Sequence, residues 1–176
     1  MDIQKAFNYL SLNYDFSKIF SHNSNYNFPN NERIYLDETG LKGQRLYKFL
    51  LEKTEVIASK YIQDRYFVAL VNFSPEKSKK EDYILSDMEQ FNLALPDEYF
   101  YHEEYIEEDE WFIKCLFFYE YKNPIKSYFD GILSCHIPTR NKKKFLKCEP
   151  FIFDLELKYR VDLYDDRGMD ILFLRN

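Results

Sequence analysis

The spacing of apolar residues changes in the final third of this chain, and that change constrains the fold more than any other feature of the sequence. Between Leu41 and Ile62, apolar residues recur every three or four positions, which predicts a long helix with one buried face. From residue 150 onward they alternate with polar residues, as in PFIFDLEL and RVDLYDD, which predicts antiparallel strands in close succession. Separate helical and strand regions predict an α+β fold.

Shorter segments supply the remaining elements of this prediction. The nearly continuous apolar run RYFVALVNF, residues 65–73, predicts a central strand with both faces covered. The other predicted elements are a helix capped by Asp2 that ends near Leu12, a strand at 111–121, a helix from Pro124 to Cys135 and a last strand at 169–174. We therefore predict a mostly antiparallel sheet of about five strands, with helices packed chiefly on one face and a C-terminal three-strand meander.

The length of the chain is that of one domain. At 176 residues it can bury roughly 70% of the surface that the unfolded chain exposes, and its aromatic content of 19% is far above that of disordered segments. We expect a single domain over residues 1–176, with an N-terminal helix and an asparagine-rich loop in residues 1–40 and the α+β core in residues 41–176. The aromatic residues fit a homodimer interface as well as a core, so the oligomeric state stays open.

The cysteines and the start of the chain predict a cytoplasmic protein. Cys115, Cys135 and Cys148 are odd in number and form no C-x-x-C pair, which is typical of reduced thiols. The first residues show no basic segment followed by an apolar one, so we expect no secretory signal. No segment approaches the ~20 apolar residues that a membrane-spanning helix needs, so we expect no membrane association.

The charge balance favours a basic partner. The chain has 24 basic and 30 acidic residues, a net charge of -6, and phosphate repels such a surface, so nucleic acid is not an expected ligand. The opposite signal is the run RNKKKFLK at residues 140–147, which holds five basic residues. Either a solvated loop or a contact with RNA fits this run.

The segment DEYFYHEEYIEEDE, residues 97–110, is the strongest candidate for a binding surface. It contains eight carboxylates and no Lys or Arg, so its charges repel one another until a cationic partner neutralises them. Tyrosines between the acids offer rigid contact area. The candidate partner-binding residues are Asp97, Glu98, Tyr99, Tyr101, Glu103, Glu104, Tyr105, Glu107, Glu108, Asp109 and Glu110. The alternative interpretation is an exposed acidic loop that only keeps the protein soluble.

A second acidic motif, DDRGMD, lies between the last two predicted strands. We interpret Asp165, Asp166, Arg167, Gly168 and Asp170 as a structural turn, because aspartate and glycine suit the positions of a short hairpin connection. The alternative is a site for a hard cation such as Mg²⁺ or Ca²⁺, which prefers carboxylate oxygens. Adjacent aspartates tend to point apart and Arg167 competes with a cation, so we predict no metal at this motif.

The same motif carries a resemblance to a known family. LYDDRGMDIL, preceded by FIFDLELKYRVD and NPIKSYFDGIL, resembles the closing segment of an uncharacterised bacterial family of small cytosolic proteins. That family is described as a domain of unknown function whose members end in a Tyr-Asp-Asp-Arg-Gly-x-Asp hairpin. The resemblance is specific over residues 145–175 and extends back to the strand at residue 65. It implies a shared α+β fold, and it implies no activity, catalytic residue or cofactor.

The residues that usually perform catalysis form no recognisable constellation in this sequence. His22, His102 and His136 are far apart, and Cys135 is next to His136, whereas a nucleophile and its base normally come from separate parts of a fold. No glycine-rich phosphate loop or zinc-binding spacing occurs. We therefore predict no enzyme, no cofactor and no catalytic residue.

These observations predict a non-enzymatic cytosolic binding protein. In its most concrete form it is an immunity protein that neutralises a cognate bacterial toxin, for example a nuclease, through the acidic segment. One alternative is a metal-dependent hydrolase that uses Asp165, Asp166 and Asp170. The other is an RNA-associated protein that uses residues 140–147.

Overall fold

One antiparallel sheet with helices on both of its faces organises the molecule. The computed structural model describes residues 2–21, 28, 30–36, 39–74, 86–89, 98–106, 111–118, 124–137, 148–163 and 168–175. The helices are α1 (Ile3–Asn13), α2 (Phe16–Ile19), α3 (Gly43–Ala58) and α4 (Ile125–His136), with a further helical turn at 86–89. The strands are β1 (Asn31–Tyr35), β2 (Tyr66–Ser74), β3 (Tyr99–Ile106), β4 (Trp111–Phe118), β5 (Glu149–Asp154), β6 (Tyr159–Leu163) and β7 (Gly168–Phe173).

The strand order confirms the predicted α+β class. The described sheet has the order β1-β7-β6-β5-β2-β4-β3, and every neighbouring pair is antiparallel. Strand β2 lies between β5 and β4, as its continuous apolar sequence predicts, and β5, β6 and β7 form the predicted meander. All five predicted strands are present. The sheet has two more, β1 and β3, and these stand at its two ends.

The two longest helices, α3 and α4, cover one face of the sheet. Leu46, Leu50 and Ile57 form the buried stripe of α3, and Phe129 and Leu133 belong to that of α4. Both stripes pack in one core with the side chains of β2 and the meander that point to this face. The helical spacing of the sequence predicts this arrangement correctly.

Helices α1 and α2, which we call the N-terminal layer, cover the opposite face. Asp2 caps α1 by accepting a bond from the Lys5 backbone N–H at 2.9 Å, as predicted. Ala6, Phe7 and Leu10 of α1 are buried in a second core with the other set of alternate side chains from β2 and β5. Helices therefore lie on both faces, because both sets of alternate β2 side chains are apolar and each set needs a cover.

Several predicted segments fall outside the described residues. Within residues 1–40, where the sequence predicts an asparagine-rich loop, residues 22–27 and 29 are not described, whereas Asn31 and Glu32 belong to β1. The basic run 140–147 is also outside the described part of the chain. Among the residues that are described, no helix is both long enough and apolar enough to span a membrane.

Candidate functional site

The predicted partner-binding segment forms a regular strand at one end of the sheet. Residues 99–106 are β3, which pairs along its whole length with β4, and Glu98 immediately precedes it. Among the described strands, β3 has only this one neighbour. This part of the segment is therefore not an irregular loop. Asp97 and residues 107–110 lie outside the described residues.

Strand β3 presents acidic and aromatic side chains on both faces of the sheet. Tyr101 packs against the α3/α4 core, and Phe100 packs against the core beneath the N-terminal layer. Because side chains alternate along a strand, Tyr99, Glu103 and Tyr105 share the face of Tyr101. Tyr99 is 56% exposed and Tyr105 is 49% exposed, and Glu103 and Glu104 are also exposed. The exposed surface of β3 thus combines two adjacent carboxylates with tyrosine rings.

Contacts within β3 help to fix the positions of the two exposed carboxylates. Tyr101 Oη donates to Glu103 Oε2 at 3.1 Å. His102 Nε2 lies 3.2 Å from Glu104 Oε2. Each contact joins residues two positions apart, so it forms along one face of the strand. Glu103 and Glu104 are therefore held on opposite faces.

An aromatic cluster beneath β3 connects it to the N-terminal layer. The Phe7 ring centroid lies 4.6 Å from that of Phe100 and 4.9 Å from that of His102. Phe16 of α2 lies 5.3 Å from His102 and 5.6 Å from Phe7. Such contacts hold β3 against the N-terminal layer. This support was not predicted, although the alternation of Phe100 and His102 with tyrosines in YFYHEEYI is typical of a strand.

The second predicted motif is divided between described and undescribed residues. Asp165, Asp166 and Arg167 are outside the described residues, whereas Gly168 and Asp170 lie within β7 and not in the turn itself. Asp170 is completely buried. Its two carboxylate oxygens accept from Nε and Nη2 of Arg33, each at 2.8 Å. Asp170 therefore joins β7 to β1 through a charge-assisted pair of hydrogen bonds.

A fully buried ion pair on β6 lies next to this contact, and the sequence analysis did not predict it. Arg160 donates to the backbone carbonyls of Ile19 and Ser21, at the end of α2, and to Oδ2 of Asp162. Its guanidinium also lies 4.8 Å from the centroid of the Phe151 ring. Arg160 thus fastens the N-terminal layer to the sheet. Within the described part of the molecule, Arg160 Nε and Asp162 Oδ1 have no hydrogen-bond partner.

Burial raises the pKa values of two carboxyl groups in this region. Desolvation raises the pKa of Asp162 to about 6, although Arg160 opposes this shift. Desolvation also raises the pKa of Glu149, in β5, to about 7, and the charge of Asp162 adds to that increase. Together with the buried Asp170 and the partly exposed Arg33, these residues form a cluster of three carboxyl and two guanidinium groups, which we call the buried charge cluster. Glu149 therefore keeps its proton to a higher pH than an exposed glutamate does.

Comparison with known proteins places the chain in a family. The family model described as Domain of unknown function (DUF3885) matches residues 9–175. This chain belongs to the DUF3885 family. The match includes β3, the buried charge cluster and every strand of the sheet, and it confirms the predicted membership of a family of unknown function. No curated protein and no solved structure was found to match the chain. The bacterial origin stays a prediction.

Among the described residues of this DUF3885 chain, no group of three or more His, Cys, Asp or Glu side chains is arranged to hold a metal ion. Both oxygens of Asp170 accept hydrogen bonds from Arg33, so this residue of the alternative cation site acts as the partner of a guanidinium.

Replacing Glu149 with glutamine is expected to remove part of the pH dependence of stability. The folded protein holds the Glu149 proton up to about pH 7, whereas the unfolded chain releases it near the ordinary pKa of 4.5. Between these values the folded state binds more protons, so its free energy of unfolding falls as the pH rises. The Glu149→Gln variant has no titrating group at this position. It therefore avoids this loss in the free energy of unfolding, which amounts to about 1–3 kcal/mol at alkaline pH.

Urea unfolding near pH 5 and near pH 8 measures this effect. The stability of the Glu149→Gln variant relative to the wild type should increase from the lower to the higher pH. Glu52→Gln, on the exposed side of α3, is the matched control and should give the same relative stability at both pH values. A relative stability of the Glu149→Gln variant that does not depend on pH would contradict the raised pKa.

Proposed function

We propose that this DUF3885 protein is a non-enzymatic binding protein that recognises a basic protein through β3. The observation that carries the proposal is the exposure of acidic and tyrosine side chains along an end strand of the sheet. Glu103 and Glu104 are exposed, and they lie between the half-exposed rings of Tyr99 and Tyr105. The net charge of -6 gives the whole chain the same sign as this surface.

Electrostatics and aromatic contacts act together at such a surface. The exposed carboxylates of β3 attract a cationic partner, and the negative net charge of the chain adds to this attraction. Complementary charge also accelerates the encounter, and salt reduces this gain. Tyrosine rings bury a large area with few rotatable bonds, so they add contact energy with little loss of entropy.

The specific form of the proposal is an immunity protein that neutralises a cognate bacterial toxin in the cytoplasm. Toxins that cleave nucleic acids bind phosphate, so their active sites are lined with basic residues. An acidic protein that covers such a site gains both affinity and speed of association. The support from this chain is its charge together with the exposed acids and tyrosines of β3.

Charge reversal on β3 tests the binding surface. The protein encoded by the neighbouring gene is the partner to be measured, with association kinetics recorded at low and high salt. We expect the Glu103→Lys/Glu104→Lys variant to associate at least about tenfold more slowly at low salt, with a weaker salt dependence. Its free energy of unfolding should fall by only about 1 kcal/mol, because both side chains are exposed, although Glu103 accepts from Tyr101 and lies opposite Lys114.

The matched control makes the same change of charge outside β3. Glu52 and Asp64 are exposed and lie before and after the end of α3, so Glu52→Lys/Asp64→Lys alters the net charge equally. An equal slowing by both variants would show that net charge alone acts. Unchanged kinetics of the β3 variant would exclude this strand as the binding surface.

Coexpression tests the immunity form directly. If the neighbouring gene encodes a toxin, the wild-type chain should restore growth of cells that express it, and Glu103→Lys/Glu104→Lys should restore growth less well. A neighbouring protein that is not toxic, or full protection by the charge-reversed variant, would contradict this form of the proposal.

A further inference from the structure

We propose that three aromatic side chains far from β3 bind a trimethylammonium group. The rings of Tyr61, Tyr159 and Phe173, which we call the aromatic triad, lie beside the carboxylate of Glu32. Two of these rings belong to β6 and β7, and strands β5, β2 and β4 lie between them and β3. The proposed site is therefore separate from the surface of the proposed function and goes beyond it.

The aromatic triad forms on the face of the sheet that α3 and α4 cover. Tyr159 and Phe173 are directly paired across β6 and β7, so their side chains point to the same face. That face is the one of Ile171, which lies two residues before Phe173 and belongs to the α3/α4 core. Tyr61 follows the end of α3 and packs against the same core. Glu32 of β1 pairs with Ile171, so its side chain points to this face as well.

The three rings of the triad stand at steep angles to one another. The centroid of Tyr61 lies 5.2 Å from that of Tyr159, at 65°, and 6.2 Å from that of Phe173, at 90°. The centroids of Tyr159 and Phe173 lie 5.8 Å apart, at 78°. Each ring has two faces, and an edge-to-face contact uses at most one of them, so at least half of the ring faces remain for other contacts. Phe173 is 36% exposed, so the triad is open to solvent.

The electrostatics of the triad favour a cation. The face of an aromatic ring is electron-rich and attracts a cation that lies within about 6 Å of its centroid. Tyr61 Oη donates to Glu32 Oε2 at 3.3 Å, which holds an exposed carboxylate beside the rings. Partial burial raises the pKa of the Tyr61 phenol, and the charge of Glu32 adds to this increase, so the phenol keeps its proton and continues to donate.

Two basic side chains near the triad in the sequence are bound elsewhere. Lys158 immediately precedes one of the rings, and its ammonium pairs with Glu156. Arg175 follows the last ring by two residues, and its guanidinium carbon lies 4.2 Å from the centroid of the Tyr9 ring in the N-terminal layer. In the described part of the chain, no Lys or Arg side chain lies over a ring of the triad. A cation from outside is therefore the occupant that the site suits.

The small number of acceptors at the triad selects a trimethylammonium group over a lysine or arginine side chain. A lysine ammonium is strongly hydrated and has three N–H donors, and a guanidinium has five. Glu32, the carboxylate that is bonded to the triad, already accepts from Tyr61. A trimethylammonium group has no N–H to satisfy, and its methyl groups carry the charge into contact with ring faces. Such a group occurs in free small molecules and in trimethylated lysine side chains.

Titration of the full-length protein with choline, followed by NMR, tests the site. The control is 3,3-dimethylbutan-1-ol, which has the same shape as choline without the charge. Choline should bind at least about tenfold more tightly than this alcohol, and its methyl proton resonance should move upfield because ring faces cover it. Equal binding of the two molecules, or no binding of choline, would overturn the proposal.

A peptide identifies the source of the trimethylammonium group. The capped peptide Gly-trimethyllysine-Gly is titrated in the same way, with the unmethylated peptide as its control. Tighter binding of the trimethylated peptide than of choline assigns the site to a modified protein side chain. Binding equal to or weaker than that of choline assigns it to a free small molecule. Tighter binding of the unmethylated peptide than of the trimethylated one would contradict the selectivity argued from the acceptors.

Single substitutions locate the bound choline. Phe173→Leu removes one ring and keeps an apolar side chain, so it should weaken choline binding at least about fivefold. Glu32→Gln keeps an acceptor for Tyr61 and removes the charge, so it should weaken binding about threefold. Tyr35→Leu is the matched control, because Tyr35 is a 64% exposed ring of β1 outside the triad, and it should leave binding unchanged. Unchanged affinity of Phe173→Leu would overturn the site.

The β3 variant separates this inference from the proposed function. Glu103→Lys/Glu104→Lys should bind choline within about twofold of the wild type, because three strands lie between β3 and the triad. Loss of choline binding in this variant would assign the cation to β3 and overturn the triad as its site. Absence of choline binding to the wild type overturns the triad and leaves the proposed function to the association kinetics with the neighbouring protein.

Discussion

Replacing Arg160 with methionine is expected to lower the free energy of unfolding by about 3–5 kcal/mol, because a buried charge then loses its partner. Asp162 is completely buried, and Arg160 is its described hydrogen-bond donor. The backbone carbonyls of Ile19 and Ser21 lose the same donor. The change therefore weakens both β6 and the attachment of the N-terminal layer.

Urea denaturation followed by circular dichroism measures this loss. Arg160→Met/Asp162→Leu removes both charges and should recover a large part of the lost stability, since the penalty comes from the unpaired carboxylate. Arg160→Lys keeps the charge without the planar group, so it should fall between the wild type and the methionine variant. Lys158→Met, at an exposed position on the neighbouring turn, should change little. A stability of Arg160→Met equal to that of the wild type would contradict the role of the ion pair.

Replacing Phe7 with alanine should also lower the free energy of unfolding by about 3–5 kcal/mol, because it leaves a cavity in an aromatic core. Phe7 is almost completely buried, and its ring contacts Phe16, Phe100 and His102. Three of these four rings lie in α2 and β3. The cavity therefore lies between the N-terminal layer and the proposed binding strand.

The position of this cavity predicts which strand loses the most local stability. In the Phe7→Ala variant, hydrogen exchange should accelerate in β3 more than in β7, and the protein encoded by the neighbouring gene should bind more weakly. Leu12→Ala on the same helix is the matched control, because Leu12 is 85% exposed and alanine favours a helix. A uniform increase of exchange across the sheet would contradict a specific link between Phe7 and β3.

Most of the fold could be predicted from the spacing of apolar residues. That spacing identifies α3 and α4, because their buried stripes are regular, and it identifies β2 and the meander, because their apolar runs are long. The end strands β1 and β3 were not predicted. Residues 31–35 are short and polar, and the acids of β3 have low strand propensity, so pairing with β7 and β4 outweighs local preference.

The buried charge cluster could not be predicted for a related reason. In the sequence RVDL, Arg160 and Asp162 alternate with apolar residues, and such a pattern usually places the polar residues in solvent. The N-terminal layer covers that face instead, so these polar side chains are buried and must bond to one another. The amphipathic pattern of α1 was the sequence feature that could have indicated this burial. The apolar side of α1 must pack on a second face of the sheet.

The attachment of β1 to β7 delays the completion of this sheet during synthesis. Arg33 and Asp170, which join the two strands, are separated by 137 residues. Tyr14, which follows α1, donates a hydrogen bond to the carbonyl of Leu174 after β7. Strand β1 is therefore synthesised long before the strand with which it pairs, and its backbone groups stay accessible to chaperones until β7 has been made.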